Sequence, residues 1–299
     1  MMAQNNCSAL PFREREFVGR DGRRRMWWTA KQPLKDAAGD VRYIVTVALD
    51  ITELKATERA RVNLARYISP NLVDLLAAKD EPIGQVRRQE VAVVFTDLVG
   101  FTRLSARETP ERTMSLLRDL HARLTEVVLA HGGTLEKFLG DGLMATFGTP
   151  APSGHDASNA LECTVDMIDA VARWNYDRVT AGEQRLGIGI GAHYGPVILG
   201  DIGTDRRLEY AVVGDTVNIA SRLEALTRRL ASPAVVSRAL VEAALSEPGA
   251  PRACLKAFAP SMAQVIDGHD EKIEVFVFDP TGLPEDARTD AVSAGSIAS

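Results

Sequence analysis

The sequence predicts an α+β protein in which a ferredoxin-like β-α-β-β-α-β unit follows a small antiparallel sheet. Two features point there. Residues 17 to 50 alternate apolar and polar in the two-residue period of strands, whereas past Arg88 short apolar runs alternate with long stretches of helical period. In the first region FVGRDGRRRMWWTAKQPL, a turn at DAAGD and VRYIVTVALD read as two or three antiparallel strands, with Val41, Tyr43, Val45, Val47 and Leu49 on one face. Residues 51 to 68 contain helix formers without Gly or Pro, and Ile51, Leu54, Glu58, Ala65, Ile68 and Leu72 form an imperfect heptad seam. Ser69-Pro70 reads as the cap and first turn of a further helix, 70 to 79. A dimer-forming linker helix and a plain surface helix both fit that spacing.

Beyond Arg88, strand 91 to 95 leads to a helix that Thr109 caps and Pro110 opens, ending at His131 before Gly132-Gly133. Its apolar stripe is Met114, Leu117, Leu120, Leu124 and Val127. Two short apolar runs around Gly140-Asp141-Gly142 read as a hairpin. A helix with Ala160, Leu161, Thr164, Met167, Ile168, Val171 and Trp174 on one side follows, then strand 186 to 192, a turn at Gly195-Pro196 and strand 197 to 199. The last twenty residues, rich in Ala, Ser, Gly and acid, read as disordered.

Composition narrows the function classes. A length of 299 residues suits about two domains, at ~150 residues each. With 35 basic and 40 acidic side chains the net charge is -5, which disfavours a protein that coats nucleic acid by neutralising phosphates. No apolar run approaches the ~18 to 20 residues of a membrane span. The N-terminus lacks an apolar secretory region, and Cys7, Cys163 and Cys254 form neither an even set nor a CxxC pair, so a reducing cytoplasm is expected.

Two acids carry the chemistry. Asp97 lies two residues past the strand in FTDLVGFT, and Asp141 occupies the tip of the hairpin in EKFLGDG. The strand order brings the two turns together on adjacent strands, and two carboxylates at close range require a cation between them. Mg²⁺ or Mn²⁺ fits, because these hard ions take carboxylate and carbonyl oxygens and pair with substrate phosphates. Gly100 and its neighbours add successive backbone amides suited to polyphosphate oxygens. The alternative is that each Asp satisfies a tight turn.

VAVVFTDLVGFT, EKFLGDG and EYAVVGDTVNIASRLE resemble, in order, the three signature blocks of the class III nucleotide cyclase catalytic domain, over residues 88 to 279. The leader LARYISPNLVDLLAAKDEPIGQVRRQEV resembles the helical transducer that precedes such domains. Residues 17 to 54 resemble the C-terminal half of a PAS domain, but a full PAS fold needs roughly twice the ~50 residues that precede the linker. No cofactor is inferred from that segment. The resulting division is 1–50 PAS-like, 51–87 helical linker, 88–279 catalytic domain and 280–299 tail.

The resemblance implies that Asp97, Leu98 and Asp141 hold two Mg²⁺ or Mn²⁺ ions. It implies that Gly100, Phe101 and Thr102 serve the phosphates, and that Lys137 reads the purine. Asn218 matches the residue that orients the ribose, and Arg222 the one that stabilises charge at the reacting phosphate. Asn218 and Arg222 are also i and i+4 on one helix face. Two positions depart from the pattern: Ala211 stands where adenylate cyclases of this family carry Asp or Thr, and His269 where the family has Lys or Arg for the triphosphate. Lys137 favours ATP over GTP, since guanylate-selecting members have an acid there.

The implied activity is conversion of ATP to 3′,5′-cyclic AMP and pyrophosphate, with a site shared between the two subunits of a homodimer. A catalytically degenerate homologue that binds nucleotide or a partner is the alternative, with Ala211 and His269 as its evidence. A diguanylate cyclase is disfavoured by LGDGL, which lacks the paired glycines and acids of such enzymes. Other signals fade. Gly187, Gly189 and Gly191 alternate inside a strand and read as close backbone packing, the five histidines 121, 131, 155, 193 and 269 show no metal spacing, and Ser221 sits in no GxSxG elbow.

Overall fold

The structure, a computed structural model, describes residues 12–65, 86–204, 207–265 and 272–282. It divides into two compact units, residues 1–68 and 69–299. In the first, β1 (Arg13–Val18), β2 (Arg24–Lys35) and β3 (Val41–Asp50) form an antiparallel sheet in that order, followed by α1 (Thr52–Ala65). Asp50 ties strand to helix by accepting from the Thr52 amide at 2.9 Å, while Thr52 Oγ1 accepts from the Met26 amide at 2.9 Å. Tyr43, Val45, Val47 and Leu49 share one face as expected, and each is exposed, but Val41 does not join them, because a bulge between the Leu34–Tyr43 and Lys35–Val41 pairs breaks the alternation there. The helix expected over 70–79, the seam at Ile68 and Leu72, and the tail from 283 on lie outside the described residues.

The second unit is built on an eight-stranded sheet of order β10-β11-β9-β7-β4-β6-β5, with β8 paired to β7. Its first part runs β4 (Arg87–Val99), α2 (Phe101–Ser105), α3 (Pro110–Ala130), β5 (Thr134–Leu139), β6 (Gly142–Phe147), α4 (Asp156–Thr180) and β7 (Gly187–Thr204). The four strands lie as β7-β4-β6-β5, the arrangement of a ferredoxin-like unit. After it come β8 (Arg207–Val213), α5 (Asp215–Leu230), β9 (Ala234–Ser237), α6 (Arg238–Ser246), α7 (Arg252–Leu255), β10 (Phe258–Pro260) and β11 (Val275–Phe278).

Alternation along β4 separates two cores. Ala92, Val94 and Leu98 pack with residues of α3 and α4, whereas Val91 and Val93 pack on the other face with Ala220 of α5. Thr109 caps α3 as expected, its hydroxyl accepting from the Arg112 amide, with Pro110 in the first turn. The buried stripe of α3 differs from the expected one. It is Leu116, Leu120, Leu124 and Val128, a strict four-residue step along the ridge that meets the sheet, while Met114 is exposed and Leu117 and Val127 are only half-buried. The expected apolar side of α4, from Ala160 to Trp174, is buried throughout. Cys163 is buried, and Cys254 has its thiol pushed up to about 12 by burial, so both behave as hydrophobes.

The turn expected at Gly195-Pro196 is absent: β7 runs unbroken from Gly187 to Thr204. Pro196 is tolerated because it falls between the residues that pair with β9, 190 to 192, and those that pair with β8, 198 to 204. The β7 glycines do serve close packing. A Cβ on Gly191 would lie 2.1 Å from the Glu224 amide nitrogen and 2.3 Å from the Ala220 carbonyl oxygen, so α5 rests directly on the strand backbone. Gly191→Ala should therefore lift α5 and cost about 1–3 kcal/mol, measured as a lowered midpoint in thermal or urea unfolding. An unchanged midpoint would contradict this packing.

Candidate active site

Asp97 does not lie past a strand end. β7 pairs with β4 over the whole span from Arg87 to Val99, with Asp97 opposite Gly189, so the strand carries the carboxylate within the sheet. Asp141 sits in the two-residue turn between β5 and β6. What joins the two is Gly142: a Cβ there would lie 1.8 Å from the Thr96 carbonyl oxygen and 3.2 Å from the Asp97 Cα. The Thr96 hydroxyl also accepts from the Leu143 amide at 3.1 Å. Only a glycine lets the hairpin enter so close to β4, and the residue before it delivers its carboxylate beside Asp97.

The electrostatics follow from that approach. Burial, and then the neighbouring Asp141 charge, push the Asp97 carboxyl above the usual carboxylate range, against the opposing pull of Arg228. Arg228 of α5 donates to Asp97 and, at 3.0 Å, to Glu224 Oε1. Glu224 is pushed up to about 7 by burial, with Arg228 lowering it and the Asp97 charge raising it. A guanidinium thus stands where a carboxylate pair calls for a cation. Among the described residues no group of three or more His, Cys, Asp and Glu is arranged around a metal position. Two carboxylates suffice for Mg²⁺ or Mn²⁺, which keep waters and bind through substrate phosphates.

The other expected residues of this end lie along the same segment. The Leu98 side chain is buried in the core, leaving its main-chain carbonyl as the group it can offer. Gly100, with φ of 87°, caps the short α2, which Phe101 and Thr102 open. His121 of α3 stacks on Phe138 of β5 with ring centroids 4.2 Å apart, bracing the hairpin that carries Asp141. Burial holds the His121 pKa below its usual value, against Asp141 and the Gly140 backbone.

Lys137 of β5 pairs with Glu209 of β8, Nζ to Oε1, at 2.9 Å. Ala211, opposite Gly200, follows two residues later on the same side of β8. Asn218 is exposed and Arg222 half-buried on α5, and at 3.6 residues per turn they lie about 40° apart. Glu224, on the face turned to Asp97, is about 120° from Asn218 around the same helix. The fold therefore joins Asp97 with Asp141 and Lys137 with Glu209, and turns Asn218 to a different face from the one that meets Asp97. His269 lies outside the described residues. Sequence reading missed Glu224, Arg228, Glu209 and His121. An i, i+4 acid–base pair on α5 was the available signal for the first two.

The sequence profile of the adenylate and guanylate cyclase catalytic domain matches residues 84–239. Adenylate cyclase 1 of Rhizobium meliloti (strain 1021) is 33% identical over 154 residues, which are 52% of this chain and 23% of that protein. The chain thus spans under a quarter of that relative. The adenylyl cyclase CyaB from P. aeruginosa superposes with a TM-score of 0.57 at 26% identity, covering 65% of this chain and 95% of that one. The guanylyl cyclase Cya2 superposes with a TM-score of 0.56 at 27% identity, covering 67% and 95%. The profile takes in more than half of the 299 residues and contains Asp97, Asp141, Asn218 and Arg222, so the chain belongs to the adenylate and guanylate cyclase catalytic domain family.

Proposed function

We propose that the protein is an adenylate cyclase that converts ATP to 3′,5′-cyclic AMP and pyrophosphate at a site shared by two copies of the chain. The observation that carries this reading is the joining of Asp97 and Asp141 at the Gly142 approach, with a cation already drawn to Asp97. The two carboxylates and the Leu98 carbonyl would hold Mg²⁺ or Mn²⁺. Such ions, when bound, lower the pKa of the ribose 3′-hydroxyl and neutralise polyphosphate charge. The amides around Gly100, Phe101 and Thr102 bind phosphate oxygens. Lys137 donates to the purine ring, and Asn218 orients the ribose. The 3′-oxygen then forms its bond to the α-phosphorus as the bond to the β-phosphate oxygen breaks, the hydroxyl proton passing to solvent. Arg222 stabilises the negative charge that develops at that phosphorus.

The arrangement of α5 supports a shared site. One face of the helix meets Asp97 through Arg228, which also pairs with Glu224, and this supports a reading in which Asn218 and Arg222, on another face, serve the site of a second copy. No described helix is long and apolar enough to cross a membrane. We also propose the division into a 1–50 PAS-like segment, a 51–87 linker, an 88–279 catalytic domain and a 280–299 tail.

Asp97→Asn or Asp141→Asn should slow cyclic AMP formation on the order of a thousandfold, about 4 kcal/mol, with the melting temperature retained. Near-normal turnover would remove the metal reading. A mixing experiment tests the shared site. Asp97→Asn and Asn218→Ala homodimers should each be inactive, whereas random exchange of equal amounts makes about half the dimers mixed, each with one intact site, and restores roughly a quarter of wild-type activity. Demonstrated exchange without recovery would overturn the two-copy site.

A further inference from the structure

Ala211 offers the purine no side-chain acceptor, yet a carboxylate stands two residues earlier on the same side of β8, at Glu209. Glu209 and Ala211 share one side of β8, and the Glu209 carboxylate reaches the Lys137 ammonium at 2.9 Å from a strand 72 residues away in sequence. Both side chains are about half exposed, 49% and 57%, so the pair is open to a ligand. An exposed ion pair contributes only about 0–1 kcal/mol to stability, and the fold has little need of it.

Side by side, the two groups offer one donor and one acceptor. Adenine presents the complement along its edge: ring nitrogen N1 accepts, and the adjacent 6-amino group donates. We propose that Glu209 is the base-selecting acceptor of this protein, taking the hydrogen bond of the adenine amino group while Lys137 meets N1. Guanine in the same pose turns its O6 toward the carboxylate and its N1–H toward the ammonium, a double mismatch. The inference rests on the cyclase reading only for the pose of the purine on Lys137.

The test is competition for the full-length protein, in which ATP, GTP or purine riboside triphosphate, which lacks the 6-amino group, displaces a fluorescent ATP analogue. Wild type should bind ATP about tenfold more tightly than purine riboside triphosphate. In Glu209→Ala that ratio should fall to near one, because the amino group has lost its partner. Glu209→Gln, which keeps an acceptor and adds a donor for O6, should raise GTP binding relative to ATP about tenfold. Ratios within twofold of wild type in both variants, or no nucleotide binding by wild type, would overturn the proposal. Cyclic nucleotide formation by wild type is measured in parallel. Absence of turnover with the binding ratios as expected would refute the cyclase reading and leave Glu209 as the base-selecting residue.

Discussion

The site depends on one backbone contact, the approach of β6 to β4 at Gly142. A strand that comes within van der Waals range of its neighbour's carbonyl has no room for a side chain, and Gly142 supplies none. The consequence is electrostatic. The adjacent Asp141 is carried beside Asp97, and the half-buried Asp97 carboxyl is pushed up by burial and by that second charge. Two acids so placed are held together by the fold against their repulsion, and a cation relieves it. Arg228 answers part of that need from within the chain. The same repulsion that costs stability is what gives the site its affinity for a positive charge.

The helix α5 is the second fixed part. Gly191 lets its backbone rest on β7, and Gly189 leaves space for the Glu224 and Thr227 side chains that point at the strand, the nearest atoms to its missing Cβ. Seated this way, the helix turns Glu224 and Arg228 toward Asp97 and leaves Asn218 and Arg222 directed elsewhere. A helix so divided, with one face meeting Asp97 and another carrying Asn218 and Arg222, would suit a site formed by two copies related by a two-fold axis.

Much of this was legible in the sequence, for identifiable reasons. The strand order followed from turn signals that local chemistry enforces: Thr109-Pro110 at a helix start, Gly132-Gly133 at its end, Gly140-Asp141-Gly142 at a hairpin. The two acids could be singled out because each stood beside a short apolar strand. What escaped was non-local. Asp97 read as a turn residue because its place within β4 is set by β7, which pairs along the whole strand from ninety residues away. Pro196 read as a turn because nothing local reveals that it falls between two partner strands. Lys137 with Glu209 and Asp97 with Arg228 are pairings across the fold, and no spacing announces them. Met114 has helical spacing but faces solvent, since the direction of the α3 stripe is decided by the sheet beneath it.

Asp97 and Asp141 are proposed to form one divalent-cation site that works with the nucleotide. The most direct measurement is a Mn²⁺ titration followed by the electron paramagnetic resonance signal of the free ion, with and without a non-cyclisable ATP analogue. The nucleotide should strengthen Mn²⁺ binding, and Asp97→Asn or Asp141→Asn should each weaken it at least about tenfold. Mn²⁺ binding of equal strength in wild type and both variants would contradict the proposed site.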